Sequence, residues 1–321
     1  MPELPEVETI RAQLDDVLVG QTLESVEVLR EKSWSGEISS IVGRKVGGVD
    51  RKGKMLIVEL QEKKKKLRYL VIHLKMTGQL IFDENDQFSN RNFQNKSKDR
   101  KLHFELDHRV VGLARSRRAT RIAGGHPSAS WVHDLPDNHT RVVMKLSGGT
   151  LYFNDMRVFG WVKVVDGKGL QKMLGRMPPD INERVVNRTW FRELLSRSGR
   201  AVKLVVMDSG KLGGVGNIYA NDGLWDAKID PRRVAKSLSN EEADRLVVSL
   251  KKVINLGIEL GGATASDDKF VQATGLGGKY QKHFLTYERK GEKCKRKDCA
   301  GVIEKIKVGG RGTYFCPKCQ V

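Results

Sequence analysis

Apolar residues open the chain at helical spacing. Val7, Ile10, Leu14, Val17 and Leu18 share one face, and Gly20 ends the run. Glu6 and Glu8 lie in the first turn, where the helix dipole favours anions. The period then shortens. Met55–Leu60, Tyr69–Leu74, Val142–Leu146, Leu151–Phe153 and Trp161–Val165 are short aliphatic and β-branched runs divided by Gly, Lys and Asp clusters. Strands without intervening helices predict a sandwich or barrel. From Asp166 the chain turns Gly/Pro-rich, with Pro178-Pro179, and reads as a linker. Helical spacing returns after it. Ser239-x-x-Glu242 is a capping box ahead of Leu246, Val247, Leu250, Val253, Ile254 and Ile258. Near the end, Gly301–Ile306 and Arg311–Phe315 read as two strands around Gly309-Gly310, a hairpin.

These segments make an α+β multidomain chain of 321 residues, long enough for two cores. Residues 1–165 form an N-terminal domain, 166–185 a linker, 186–284 a helical domain and 285–321 a terminal module. Lys and Arg outnumber Asp and Glu by 58 to 39, a net charge of +19 that suits a polyanion, nucleic acid first, although a ribosome-associated or membrane-surface protein would carry the same surplus. No run of about 18 apolar residues and no signal-peptide core is present, so a cytoplasmic protein without a membrane partner is expected. All four cysteines lie in the terminal module: Cys294 and Cys299 as C-x4-C, Cys316 and Cys319 as C-x2-C. Two such knuckles offer the four thiolates that one structural Zn²⁺ prefers, in a closed site that folds the module and does no chemistry.

The N-terminus carries the most specific chemistry. Pro2 follows the initiator methionine and Glu3 follows Pro2. With Met1 removed, Pro2 presents a secondary amine that can attack a sugar carbon and form an iminium. An α-amino group has a pKa of roughly 7.7–8.0, so a usable fraction is neutral near pH 7. Glu3 is close enough to move a proton at the same carbon.

Pro2-Glu3-Leu4-Pro5-Glu6-Val7-Glu8 resembles the N-terminus of the formamidopyrimidine-DNA glycosylases. Other motifs follow in that family's order. The resemblance implies an N-terminal β-sandwich with flanking helices, a helix-two-turn-helix domain and a β-hairpin zinc ribbon. It makes Pro2 the nucleophile, Glu3 the proton carrier and Glu6 a residue that orders the site. Lys54 and Arg311 become phosphate contacts that assist elimination, Arg311 within Arg311-Gly312-Thr313-Tyr314-Phe315-Cys316. Met76 would fill the void left by an everted base, with Arg157 facing the opposite base and Phe159 wedged into the stack. An enzyme that extrudes a base needs apolar wedges and an Arg of this kind. His139, Lys203 and Asn217 would contact DNA, Asn217 from the turn Gly213-Gly214-Val215-Gly216. Read without the family, those glycines make a tight turn whose N–H groups could hold a phosphate.

The implied activity is that of a bifunctional DNA glycosylase and AP lyase of base excision repair. It would remove 8-oxoguanine and formamidopyrimidines from double-stranded DNA by a proline Schiff base and β,δ-elimination, as a monomer at the nucleoid. The chain departs from the family at Met156 and Val158, where a proline and a second arginine are usual, and at the C-x4-C knuckle. An endonuclease-VIII-like preference for oxidised pyrimidines and a noncatalytic zinc-ribbon nucleic-acid binder are the competing readings. The glycine-rich stretch from Ala265 to Tyr280 resembles a loop closing over an everted purine, or is a plain linker. The polar, basic stretch 83–138 reads as an insertion; five of the seven histidines (His103, His108, His126, His133, His139) lie there or at its edge, in no metal-binding pattern.

Overall fold

The computed structural model describes residues 2–63, 66–84, 121–125, 135–263 and 278–321. The first element is helix α1 (Leu4–Leu18), followed by strand β1 (Leu23–Val28). Strands β2 (Trp34–Ser35), β3 (Lys45–Lys52), β4 (Met55–Gln61), β5 (Arg68–His73) and β6 (Gly78–Asp83) come next. Strands β7 (Arg121–Gly125), β8 (Thr140–Leu146), β9 (Gly149–Asp155) and β10 (Trp161–Asp166) complete two five-stranded sheets. Their orders are β1-β8-β9-β6-β7 and β2-β10-β5-β4-β3, antiparallel except for the β2–β10 pair. The two sheets bury one shared core: Val49, Leu56, Val58 and Ile72 from one, Leu80, Phe82, Met144 and Phe153 from the other. Residues of one parity along each strand enter this core, which is the alternation the sequence shows.

Two predicted boundaries shift. Residues 121–125, inside the stretch read as an insertion, form edge strand β7 on β6; the rest of that stretch, including His103, His108, His126 and His133, lies largely outside the described residues. The stretch read as a linker begins with helix α2 (Gly167–Leu174), capped by Asp166, whose carboxylate accepts from Gly169 N. Its two glycines disfavour a helix. Leu170, Met173 and Leu174 override them by packing on Met55, Ile57 and Val71 of the outer sheet face.

The helical domain contains α3 (Arg188–Ser196), α4 (Val202–Val206), α5 (Asn217–Asp226) and α6 (Asn240–Glu259). The Ser239/Glu242 capping box forms at the start of α6, with Ser239 N donating to Glu242 at 2.8 Å and Glu242 N to Ser239 Oγ at 3.2 Å. Strands β11 (Glu304–Val308) and β12 (Arg311–Phe315) form the terminal hairpin. Val308 faces Arg311 across the two-residue turn Gly309-Gly310, and both glycines have positive φ, 55° and 75°. That is the backbone a tight hairpin turn demands.

Helix α1 joins the two halves. Leu4 is buried in the helical-domain core, while Val7, Ile10, Leu14 and Leu18 are buried in the sandwich core. Burial of each such side chain contributes about 1.5–3 kcal/mol. The face that the sequence predicts therefore anchors the chain terminus between two domains.

A candidate acid–base centre at the chain terminus

Pro2 is buried, and Glu3 is 5% exposed. Glu3 N donates to Glu6 Oε2 at 2.8 Å, which fixes the backbone next to Pro2. The Glu3 carboxylate accepts from Ile218 N at 3.0 Å and lies 3.5 Å from Tyr219 N, both in the first turn of α5. The glycine turn makes this approach possible. A Cβ at Gly216 would overlap the Glu3 carboxylate carbon, and one at Gly214, where φ is +90°, would overlap Leu4. Two N–H groups of the helix start just beyond the glycine turn are thus taken by a side chain of the protein itself.

Burial and the neighbouring Glu6 charge push the Glu3 pKa up to about 7, against the lowering effect of Lys54 and of the two N–H groups. Glu6 is enclosed as well: Oε1 accepts from Tyr219 Oη and from Ala263 N, each at 2.8 Å. Burial lowers the Lys54 pKa, with Arg311 adding to the fall while Glu3 and Glu6 oppose it. Two carboxylates, Lys54 and Arg311 therefore share one electrostatic field. His73, on the strand beside Lys54, is kept neutral by burial and the charges of Lys75 and Lys54, with a pKa near 4. Sequence reading passed over it.

Lys54 sits at the tip of the β3–β4 hairpin, which is clamped to the segment leading into the helical domain. Arg51 pairs with Glu8 at 2.6 Å and Asp180 at 2.7 Å, Gly53 N donates to Asp180 at 3.0 Å, and Lys52 pairs with Glu183. Arg311 is exposed at the first residue of β12. Lys203, expected to touch phosphate, is instead fully buried. Its ammonium donates to Gly312 O at 2.9 Å and Thr313 Oγ1 at 2.8 Å, under the hairpin that carries Arg311. Burial, with Arg311 adding to the effect, brings its pKa to about 7. Asn217 is the first residue of α5; Asn221 donates to its carbonyl at 2.6 Å and accepts from Tyr314 N at 2.9 Å, tying that helix to β12.

A second group of predicted residues gathers elsewhere on the sandwich. Met76, Arg157 and Phe159 come from two loops and meet at the surface. Arg157 Nη1 is 3.7 Å from Met76 Sδ, and the guanidinium stacks 4.8 Å from the Phe159 ring centre. Met76 is 46% and Phe159 50% exposed, and with Met156 at 41% in the Phe159 loop they form an apolar group at the surface. His139 is half-buried in the turn before β8, its N–H bonded to Asp137 at 2.8 Å.

The four cysteine sulfurs lie within 4.8 Å of one another, with Cys294–Cys319 at 3.8 Å and Cys299–Cys316 at 3.6 Å. A tetrahedron with Zn–S bonds of about 2.3 Å has edges of roughly 3.8 Å, so the thiol set fits zinc. Trp225 Nε1 donates to Cys294 Sγ at 3.3 Å, the kind of outer contact that orients a metal ligand.

A buried acid–base centre sealed by two domains, beside a four-thiolate ribbon and an exposed aromatic–arginine cluster, defines a zinc-ribbon nucleic-acid enzyme. Residues 1–122 match the formamidopyrimidine-DNA glycosylase N-terminal domain, 177–269 the formamidopyrimidine-DNA glycosylase H2TH domain, and 291–321 the zinc finger found in FPG and IleRS. The formamidopyrimidine-DNA glycosylase of Thermus thermophilus is 34% identical over 323 residues, covering 100% of this chain and 98% of its own. The crystal structure of the MutM (Fpg) protein from that organism superposes with a TM-score of 0.74 at 33% identity, over 99% of this chain and 98% of its own. A Lactococcus lactis Fpg complex with DNA containing an abasic site superposes with a TM-score of 0.76 at 27% identity, over 99% of both chains. The chain belongs to the formamidopyrimidine-DNA glycosylase family.

Proposed function

We propose that this DNA glycosylase of base excision repair excises oxidised purines, 8-oxoguanine and formamidopyrimidines, and then cleaves the abasic site. One observation carries the reading: Glu3, a carboxylate with proton affinity near neutrality, is held beside Pro2 in the field of Lys54 and Arg311. Once Met1 is removed, the Pro2 nitrogen attacks C1′. The new C–N bond replaces the glycosidic bond, whose electrons leave with the base. Glu3 delivers a proton as the sugar ring opens and takes one back in the later steps. The Pro2 nitrogen loses its proton and C1′ becomes an iminium. Loss of a proton from the iminium-bearing sugar then expels the 3′ phosphate, and a second elimination expels the 5′ phosphate. Lys54 and Arg311 would receive those oxyanions. Glu6, bonded to Tyr219 and Ala263, keeps Glu3 in place.

Met76, Arg157 and Phe159 would enter the duplex, with His139 and Asn217 on the backbone. Lys203 would support the Arg311 hairpin from beneath. Zinc, when bound by Cys294, Cys299, Cys316 and Cys319, supplies rigidity to that hairpin and no chemistry. The substrate is duplex DNA with an oxidised base or an abasic site; DNA containing an abasic site is what the Lactococcus lactis relative binds. Glu3, Lys54 and Arg311 come from one chain, so a monomer suffices. Among the described residues no helix is long and apolar enough to cross a membrane, and the working place would be the cytoplasmic nucleoid.

Base release from matched duplexes containing 8-oxoguanine, a formamidopyrimidine or thymine glycol tests the reading. Release of both purine lesions at least about tenfold faster than thymine glycol, a difference of about 1.4 kcal/mol in barrier, is expected. The reverse order would replace it with the endonuclease-VIII-like specificity.

A further inference from the structure

The three loops carrying Met76, His139 and Arg157/Phe159 meet at one buried carboxylate. Asp155, the last residue of β9, has no exposed surface. Its Oδ1 accepts from Thr77 Oγ1 and lies 3.2 Å from Arg157 N. Its Oδ2 accepts from Phe159 N at 2.8 Å and Gly160 N at 2.7 Å. Asp155 also bonds through its backbone: its N–H donates to His139 O at 2.9 Å, and its carbonyl accepts from Arg141 Nε at 2.7 Å. Thr77 Oγ1 is in turn 3.2 Å from Arg157 N. A carboxylate with several donors, deep in a protein, fixes geometry strongly and is costly to leave half-satisfied.

The backbone it holds is not a relaxed one. Lys75 and Val158 both have positive φ, 53° and 55°. Each immediately precedes a projecting side chain, Met76 and Phe159. A β-branched residue in this region is a genuine outlier and persists only where its surroundings impose it. For Val158 the imposing groups are visible: the next two N–H groups are both bonded to Asp155.

We propose that Asp155 and Thr77 are positioning residues that lock these loops into a single rigid device for opening the duplex. The proposal rests on the glycosylase reading above and adds to it the internal part that sets the wedge. Met76 and Arg157/Phe159 then enter the helix as one body with fixed spacing. Loosening the latch weakens base eversion and leaves the chemistry at Pro2 untouched, because neither Asp155 nor Thr77 contacts Glu3.

Thr77→Val, which keeps the shape and removes the hydroxyl, tests this beside Thr77→Ser, which keeps the hydroxyl. Asp155→Asn, a more disruptive change, serves as a third variant. The substrates are an 8-oxoguanine duplex with 2-aminopurine beside the lesion and a single-stranded oligonucleotide with one abasic site. Thr77→Val is expected to lower the eversion signal and duplex excision about tenfold or more. Cleavage of the single strand, which needs no base-pair opening, should stay within about twofold, and Thr77→Ser should restore the duplex reaction. Unchanged eversion in Thr77→Val, an equal loss on the single strand, or failure of Thr77→Ser to restore would overturn the proposal. Wild-type excision, measured alongside, reports separately on the glycosylase reading.

Discussion

Among single residues, the proposed chemistry depends most on the proton affinity of Glu3. Its carboxyl holds a proton to about pH 7 because burial and Glu6 outweigh Lys54 and the α5 N–H groups. On the proposed mechanism Pro2 must be neutral to attack, and an α-amino group loses its proton at roughly pH 7.7–8.0. Single-turnover excision should therefore rise with the Pro2 deprotonation and fall as Glu3 deprotonates, a bell with its top near pH 7.5 as an order-of-magnitude placement. Glu3→Gln should lower excision by roughly 10²–10⁴ and lose the alkaline limb, since glutamine has no proton to lose. Persistence of that limb in the variant would assign it elsewhere. The same shift has a stability consequence. Below the ordinary value of 4.5 the group contributes fully; as pH rises through about 7 that contribution is lost.

The thiol cluster is legible in the sequence because its spacing is its signature, and Pro2 and Glu3 stand out there as candidates because chemistry and chain position coincide. Partners distant along the chain are not legible. Nothing in the sequence pairs Thr77 with Asp155, or Arg51 with Asp180. Lys203 illustrates the same limit: a lysine in a basic chain reads as a surface contact, and only the packing of β12 over α4 shows its ammonium engaged below the hairpin.

At the element scale, the glycine turn before α5 explains why a helix start can serve a carboxylate. Gly214 and Gly216 let the terminus lie directly against the helix, and the first-turn N–H groups meet Glu3. Gly216→Ala keeps an accessible backbone conformation, because φ there is −118°, yet displaces Glu3. We expect a stability loss of about 1–3 kcal/mol for the overpacking. Excision should fall roughly 10²-fold, because a shift near 1 Å at a reacting group has that effect. Binding to an uncleavable abasic duplex should persist, and wild-type excision in this variant would show that the turn does not place Glu3. Long periodic elements such as α1 and α6 were read correctly from spacing. The start of the linker was not, because α2 owes its existence to Leu170, Met173 and Leu174 against the sheet, a tertiary effect stronger than local propensity. Strand β7 escaped for a similar reason: five residues ending in Gly124-Gly125 are a strand only because β6 offers an edge.

At the scale of the whole molecule, the centre exists only where the domains meet. Pro2, Glu3 and Lys54 belong to the sandwich side; the N–H groups of Ile218 and Tyr219 and the guanidinium of Arg311 belong to the other. Helix α1 crosses the seam with Leu4 in one core and Val7 in the other, and Arg51 and Lys52 bind the Lys54 hairpin to Asp180 and Glu183. A terminus held this firmly can present an amine at a fixed position, and the net charge of +19 draws the polyanion to it. The most direct test is borohydride trapping on an 8-oxoguanine duplex, using protein shown by N-terminal sequencing to begin at Pro2, followed by peptide mapping of the adduct. One covalent complex is expected, attached at the Pro2 nitrogen and lost in protein that retains Met1, where that nitrogen is an amide. An adduct on Lys54 or another lysine, or no adduct despite a free Pro2, would contradict it.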